Sequence, residues 1–158
     1  MDVFLEDHKK FLLLLLKYKV DFLLIGGYAV IYHGYQRPTG DMDIWLKPNN
    51  ENREKFIAVL REHNIPEKNL AHVHSLDFNN VQVMHIGEKP NKIDFLTKVS
   101  GLTFDEADKK KVFLPLKDKA VPVVHYRHLI VLKMIAGRPQ DKADIDILQK
   151  INQFKKKG

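Results

Sequence analysis

The apolar residues of the first part of the chain recur at two spacings, and these spacings predict helices and strands. Between residues 3 and 19, a wide apolar stripe recurs every three or four positions, which predicts a helix. Residues 22–25 are all apolar, which is typical of a short buried strand. Two glycines follow at positions 26 and 27, and the apolar segment 28–32 behind them predicts a short helix.

The segment 41–46, Asp-Met-Asp-Ile-Trp-Leu, alternates between polar and apolar residues, which predicts a strand. Its Met, Ile and Leu residues fall on one face. Asp41 and Asp43 fall on the other face, side by side, because side chains two positions apart on a strand share a face.

The rest of the chain continues this mixture of helical and strand patterns. The predicted elements are a helix over 51–62 capped by Asn50 or Asn52, a short helix and then a loop over 66–78, strands over 81–86 and 92–97, a short helix over 103–109, strands over 112–116 and 120–124, and helices over 126–135 and 140–154. The strands over 81–86 and 92–97 are spaced as a hairpin, and residues 154–158 are expected to form a frayed basic tail. The predicted fold class is α+β, with one mixed sheet and helices packed on it.

Composition narrows the class of protein. The chain has 158 residues, 44% of them hydrophobic and 29% charged, and it shows no internal repeat or linker, which predicts one domain over residues 1–158. Cysteine is absent, which excludes disulfides and thiolate metal sites and fits the expectation of a cytoplasmic protein. The apolar run 11–16 is too short to span a bilayer, and Asp2, Glu6 and Asp7 argue against a secretory signal, so no membrane partner is expected.

Two adjacent carboxylates, Asp41 and Asp43, repel each other unless a cation lies between them. Mg²⁺ is the usual cation, because it takes hard oxygen ligands and leaves positions for phosphate oxygens. Gly26 and Gly27, at a strand-to-helix turn, would let a phosphate approach the backbone and its N–H groups closely. A diglycine followed by an Asp-x-Asp strand therefore predicts a site for a metal-bound triphosphate.

These residues resemble the signature of the polymerase-beta-type nucleotidyltransferase superfamily. The signature combines an apolar residue and two small residues, an acidic-x-acidic strand, and a later acidic residue between apolar ones. In this chain the matching segments are Ile25-Gly26-Gly27, Asp41-Met42-Asp43 and Ile93-Asp94-Phe95. The segments 27–39 and 129–148 resemble more closely the small bacterial members related to abortive-infection and toxin–antitoxin nucleotidyltransferases.

The resemblance implies a nucleotidyltransferase-like fold and transfer of a nucleoside monophosphate from ATP or CTP to an acceptor hydroxyl, with release of pyrophosphate. Asp94 joins the acidic pair, because an unpaired charge in an apolar strand is costly and two ions about 3.5–4 Å apart need a third carboxylate. We expect Asp41 and Asp43 to bridge two Mg²⁺ ions, with Mn²⁺ as the alternative. Asp94 is expected to bind only the ion that activates the acceptor hydroxyl, and to accept its proton.

Three further residues are candidates for nucleotide binding, and each has a structural alternative. Arg37 would reach a phosphate or the acceptor, or pair with a carboxylate. Thr39 would hydrogen-bond a phosphate or order the turn. Lys133 lies mid-helix among apolar residues, so its amine must extend to solvent or find an anion, for which the triphosphate is a candidate. Arg138 and Asp141 flank a helix break, where a mutual ion pair or a cap is at least as good an explanation as function.

The histidines are weak candidates for catalysis. His72-x-His74 has the spacing that chelates a metal when the two residues lie on a strand, but it lacks nearby carboxylates or cysteines, so we do not assign it a metal. His125 and His128 are one helical turn apart and are expected at a helix start or in the core, and His33 is expected to orient a turn.

The sequence gives weaker evidence for the identity of the acceptor than for the metal and triphosphate site. An RNA 3′ end, tRNA in particular, is favoured by the resemblance to the toxin branch, by the net charge of +6 and by the lysine clusters 109–111 and 155–157. Solvated surface explains both clusters equally well. The alternatives are an enzyme that modifies a protein or a small molecule such as an aminoglycoside, and a toxin–antitoxin component that acts by binding its cognate partner.

Overall fold

The computed structural model describes residues 3–157 and consists of a mixed sheet with helices on both faces. The helices are α1 (Glu6–Lys17), α2 (Gly26–Tyr32), α3 (Asn50–Glu62), α4 (Glu67–His74), α5 (Phe104–Lys109), α6 (Tyr126–Ala136) and α7 (Pro139–Lys157). The strands are β1 (Phe22–Ile25), β2 (Asp41–Leu46), β3 (Val83–Ile86), β4 (Lys92–Leu96), β5 (Val112–Leu116) and β6 (Lys119–Val123). The predicted α+β fold class is confirmed.

The sheet has six strands in the order β3-β4-β2-β1-β6-β5. β2 runs antiparallel to β1 and parallel to β4, and β6 runs parallel to β1. The predicted hairpin is confirmed, because β3 and β4 pair antiparallel, and β5 and β6 form a second hairpin at the opposite edge. The centre of the sheet is therefore the β4-β2-β1 group. β3 extends it beside β4, and the β5–β6 hairpin extends it beside β1.

The aromatic core fills one face of this sheet beneath α1 and α3. The Phe95 ring lies 5.4 Å from the Phe11 ring of α1 and 4.8 Å from the Phe56 ring of α3, measured between centroids. Met42 and Ile44 of β2 are also fully buried. Because side chains alternate along a strand, Asp41, Asp43 and Asp94 are directed to the opposite face.

Side-chain caps explain where two of the helices begin. Asn49, rather than the predicted Asn50 or Asn52, caps α3 by accepting a hydrogen bond from the Asn52 N–H. The Asn52 side chain is buried and bonds the backbone of Asp21, so it serves the loop before β1. Thr103 and Glu106 form a reciprocal capping box at α5.

Several boundaries differ from the predicted ones. Helix α1 begins only at Glu6, since Leu5 is extended, and α2 begins at Gly26 instead of residue 28. His72 and His74 lie in α4, which is the short helix predicted within 66–78. Helix α7 continues to Lys157, because lysine is a good helix former and its charge suits a helix C-terminus, so the predicted tail is helical up to that residue.

Two residues that entered the sequence predictions lie outside the described residues. These are Asp2, used against a secretory signal, and Gly158, the last residue of the predicted tail. Within residues 3–157, no helix combines the length and the apolar composition needed to cross a membrane.

Candidate active site

Three carboxylates from two adjacent strands meet on the face of the sheet opposite the aromatic core. The parallel register of β2 and β4 places Asp43 directly beside Asp94, and Asp41 lies two residues before Asp43. One carboxylate oxygen from each of Asp41, Asp43 and Asp94 lies within 4.8 Å of the other two. The side chains that the sequence pattern proposed as one acidic cluster are therefore brought together by strand pairing.

Asp43 lies at the centre of this cluster and is unfavourably placed as a free anion. Burial, followed by the charges of Asp41 and Asp94, raises the pKa of Asp43 to about 7. Lys133 and Arg138 act in the opposite direction without cancelling the effect. An ionised Asp43 therefore needs a further positive charge nearby.

The donor set fits a divalent cation that prefers oxygen ligands. Carboxylates are the ligands that Mg²⁺ and Mn²⁺ take in proteins, and a bound cation would relieve the charge that raises the Asp43 pKa. The Lys92 ammonium, 3.3 Å from an Asp94 oxygen, is the protein's own cation at the edge of the cluster. Among the described residues, Lys92 forms its ion pair with Asp94, and neither Asp41 nor Asp43 forms one.

The two glycines lie against the same carboxylates. Gly26 has a φ of +69°, which favours glycine, and a Cβ at this position would collide with the Asp43 carboxylate. A Cβ on Gly27 would collide with the Thr39 side chain. The diglycine is therefore required to let β2 and its preceding turn pack closely on the start of α2.

Thr39 has a structural role at this turn. Its hydroxyl donates a hydrogen bond to the Asp41 carbonyl at 3.0 Å and lies against Gly27. The structure therefore contains the turn-ordering interaction that was the alternative to phosphate binding.

Arg37 is held away from solvent by a carboxylate on α7. Its Nε and Nη2 atoms each donate to one oxygen of Asp144 at 2.9 Å, which is a bidentate ion pair. The structural alternative for Arg37, pairing with a carboxylate, is thus what this structure contains. The pair links the loop before β2 to α7.

Lys133 lies at the centre of the same ionic network. The residue is only 7% exposed, and its ammonium lies 3.2 Å from Asp141 and 3.0 Å from Asp144. Because Lys133 also lowers the pKa of Asp43, its charge acts on both the network and the carboxylate cluster. The amine does not extend to solvent, and the anions that it finds in this structure are the carboxylates of Asp141 and Asp144.

Asp144 is the site residue that the sequence analysis missed. It is fully buried and accepts hydrogen bonds from Arg37, Lys133 and Gln140. Burial alone would raise the pKa of Asp144, but these hydrogen bonds lower it below its ordinary value. The available signal was the spacing of Asp141 and Asp144, three residues apart and thus on one face of a helix.

Arg138 is bound to Asp141, as the structural alternative proposed. Its Nε donates to an Asp141 oxygen at 2.8 Å, and its backbone N–H donates to the same oxygen at 3.1 Å. The guanidinium remains mostly exposed beside a cavity of about 330 Å³. This cavity extends from Gly26 and Asp43 along the apolar side of α6, and the residues lining it include Leu96, Val99, Leu129 and Leu132.

Three of the histidines have structural contacts of their own. His33 bonds the Val124 carbonyl at 2.8 Å, and His125 caps α6 by accepting from the Arg127 N–H. His8, which the sequence analysis did not single out, is buried between the Tyr28 hydroxyl and the Lys92 carbonyl.

A comparison with solved structures shows which α+β fold this chain has. The lincosamide antibiotic adenylyltransferase LnuA, solved with lincomycin bound, superposes with a TM-score of 0.58 over 96% of this chain and 99% of that chain, at 18% sequence identity. The chain has a nucleotidyltransferase fold. No protein-family model matches the sequence, and no curated protein matches it either. The narrower resemblance to abortive-infection and toxin–antitoxin members stays a prediction.

Proposed function

We propose that this protein is a divalent-cation-dependent nucleotidyltransferase of the EC 2.7.7 type, which moves a nucleoside monophosphate from ATP or CTP to an acceptor hydroxyl. The observation that carries the proposal is the meeting of Asp41, Asp43 and Asp94 beside Gly26, on a nucleotidyltransferase fold. A carboxylate whose pKa burial and two neighbouring carboxylates raise to about 7 is typical of functional sites and supports the proposal.

In this proposal Asp41, Asp43 and Asp94 hold two Mg²⁺ ions, or Mn²⁺ in their place. When bound, the ions would neutralise phosphate charge and lower the pKa of the attacking hydroxyl. The close packing at Gly26 and Gly27 leaves backbone next to the triphosphate position, and Lys133 and Arg138 supply positive charge on the same side. The nucleoside would occupy the apolar cavity beside α6.

The reaction forms one bond and breaks one. The acceptor oxygen bonds to the α-phosphorus, while the bond between that phosphorus and the bridging oxygen to the β-phosphate breaks. Pyrophosphate leaves with the electron pair, and the hydroxyl proton passes to Asp94 and then to solvent. The chain positions the reactants in line and keeps charge balanced as the bonds change.

Two acceptor classes fit this proposal. An RNA 3′ end, such as that of tRNA, would use the lysine clusters 109–111 and 155–157 for phosphate contacts. A hydroxyl-bearing small molecule is favoured by the similarity, over nearly the whole of both chains, to a structure solved with lincomycin. A toxin–antitoxin component acting only by contact has less support, because binding alone does not require the costly charge at Asp43.

The test uses α-³²P-labelled ATP and CTP with Mg²⁺ and three acceptor pools: total RNA, total protein and small molecules that include lincomycin. We expect one pool to be labelled, with release of pyrophosphate, and the label to disappear with chelator or in Asp43→Asn. Asp146→Asn, which changes an exposed carboxylate on α7, is the matched control and should keep full activity. Transfer by Asp43→Asn at the wild-type rate would refute the proposal.

A further inference from the structure

The outward face of the β3 edge strand is apolar and uncovered. Val83 is 74% exposed, and Val81, two residues earlier, is 65% exposed. His85, two residues later, is exposed as well. We refer to Val81, Val83 and His85 as the β3 strip. Val83 and His85 share one face of β3 because side chains alternate along a strand. Val81 precedes β3, and the hydrogen bond from the Thr97 N–H to the Gln82 carbonyl continues the pairing toward it.

The β3 strip lies on the same face of the sheet as the carboxylates. In the antiparallel register of β3 and β4, His85 is paired with Asp94, which in turn is paired with Asp43 of β2. The other side chains of β3, Met84 and Ile86, are paired with the buried Phe95 and Ile93 on the core face. The strip is therefore a continuation of the carboxylate row, about one strand spacing of 4.8 Å beyond Asp94.

The proposed reaction requires the NTP and the acceptor to lie on different sides of the carboxylates Asp43 and Asp94. Attacking and leaving oxygens lie roughly in line on opposite sides of the α-phosphorus. The triphosphate side is the β1 side, where Gly26, Lys133 and Arg138 line the cavity next to Asp43. The acceptor must then approach from the β4 side, across Asp94, and this approach passes over the β3 strip.

The charge distribution distinguishes between acceptor classes. The lysine cluster 109–111 lies at the end of α5 and before β5, and β5 is the edge strand farthest from β3. Lys155 lies beside Gly34, beyond the end of α2 that is distant from the carboxylates. Of the nearby lysines, Lys92 is paired with Asp94 and the Lys89 side chain packs along Gly40. Lys98, two residues after Leu96, is exposed at the Val81 end of the strip. Among the described residues, this one exposed lysine is not the continuous cationic track that an RNA backbone requires.

Resting on the proposed nucleotidyl transfer, we propose that the β3 strip is the acceptor subsite and that it takes a hydroxyl-bearing small molecule with an apolar face. Val81 and Val83 contact the apolar face, and His85 hydrogen-bonds the polar end next to Asp94. The acceptor hydroxyl is thereby held on the Asp94 side of the α-phosphorus. Its oxygen bonds to that phosphorus, its proton goes to Asp94, and pyrophosphate leaves toward Lys133 and Arg138.

The test compares Val83→Ser and His85→Ala with a matched control at the other edge of the sheet, Phe113→Ser, which changes a side chain that is 51% exposed on β5. Each protein is incubated with Mg²⁺ and labelled ATP or, in a parallel reaction, labelled CTP, and with either the ultrafiltrate of a bacterial lysate supplemented with lincomycin or total tRNA. ATP affinity is measured separately by calorimetry with a non-hydrolysable analogue. All three positions are exposed on edge strands, so folding is expected to persist.

We expect wild type to label a small molecule, and Val83→Ser to lower kcat/KM for it about tenfold through the acceptor KM. His85→Ala should reduce transfer, ATP affinity should be unchanged in both variants, and Phe113→Ser should match wild type. Labelling of tRNA alone, equal labelling by Val83→Ser and wild type, or a parallel loss of ATP affinity would overturn the subsite. Absence of label in both pools, with or without ATP binding, would instead overturn the proposed nucleotidyl transfer itself.

Discussion

Asp43→Asn should make the metal-free protein more stable at neutral and alkaline pH. The substitution keeps the shape of the side chain and removes a charge that burial, Asp41 and Asp94 make unfavourable. Moving a carboxyl pKa from 3.8 to about 7 corresponds to about 4 kcal/mol between its two protonation states. This is the upper limit of the gain, and we expect about 2–4 kcal/mol in urea denaturation with chelator at about pH 8.

The sign of the pH dependence follows from the direction of the pKa shift. Because the folded-state pKa of Asp43 is raised, the folded protein binds the proton more tightly than the unfolded chain does. The penalty is absent below the unfolded pKa of 3.8 and grows until the pH passes about 7. The stability difference between Asp43→Asn and wild type should therefore widen over this interval and stay constant above it.

Mg²⁺ should reduce the stability difference between the two proteins. A ligand at a concentration 100 times its Kd stabilises the folded state by about 2.7 kcal/mol, and wild type should gain far more of this than Asp43→Asn. Asp146→Asn, at an exposed site, controls for the general effect of removing one negative charge. A stability difference that is absent at alkaline pH, or that does not change with pH, would show that the buried Asp43 charge does not destabilise the metal-free fold.

Three further changes test other parts of the site. Asp144→Asn should lower the free energy of unfolding by about 3 kcal/mol in urea, because Arg37 and Lys133 lose a buried partner, and a loss no larger than that of Asp146→Asn would contradict this. Gly27→Val should weaken the binding of a non-hydrolysable NTP with Mg²⁺, measured by calorimetry, because the valine side chain displaces Thr39. Unchanged affinity in a folded variant would show that the diglycine has only a structural role in the turn. Replacing the lysines of 109–111 and 155–157 with Gln should leave small-molecule labelling unchanged and reduce only labelling of RNA, whereas equal loss of both would show that these clusters serve catalysis.

The local sequence pattern was sufficient to predict the strand that carries Asp41 and Asp43. Period-two alternation over 41–46 and the glycines at 26 and 27 are signals within a few residues of each other, and the structure confirms β1 and β2 with their predicted bounds. Asp94 lies about 50 residues further on, and no periodicity predicts that it pairs with Asp43. Family resemblance brought Asp94 into the prediction, and the β2–β4 register supplies the physical reason.

The ion pairs of Asp144 with Arg37 and Lys133 could not be predicted from local sequence patterns, because they join residues that are far apart in the chain. Arg37 and Asp144 are 107 positions apart, and each alone is compatible with an exposed surface residue. The pair forms only because α7 packs beside the loop that precedes β2. Arg37 and Lys133 were both predicted as candidates for nucleotide binding, yet the property that makes them unusual, burial against Asp144, becomes visible only once the helices are placed.

The arrangement of charge around Asp43 explains why the protein's own cations do not satisfy it. Lys133 and Arg138 both act on Asp43, but the first is held between Asp141 and Asp144 and the second is bonded to Asp141. Were either cation free to move onto Asp43, the pKa of this carboxyl would fall instead of standing at about 7. The carboxylates of α7 thus keep two positive charges close to the cluster without letting them neutralise it. A ligand that brings both positive charge and phosphate, as a metal-bound triphosphate does, can satisfy the acidic cluster and the basic side of the cavity at once.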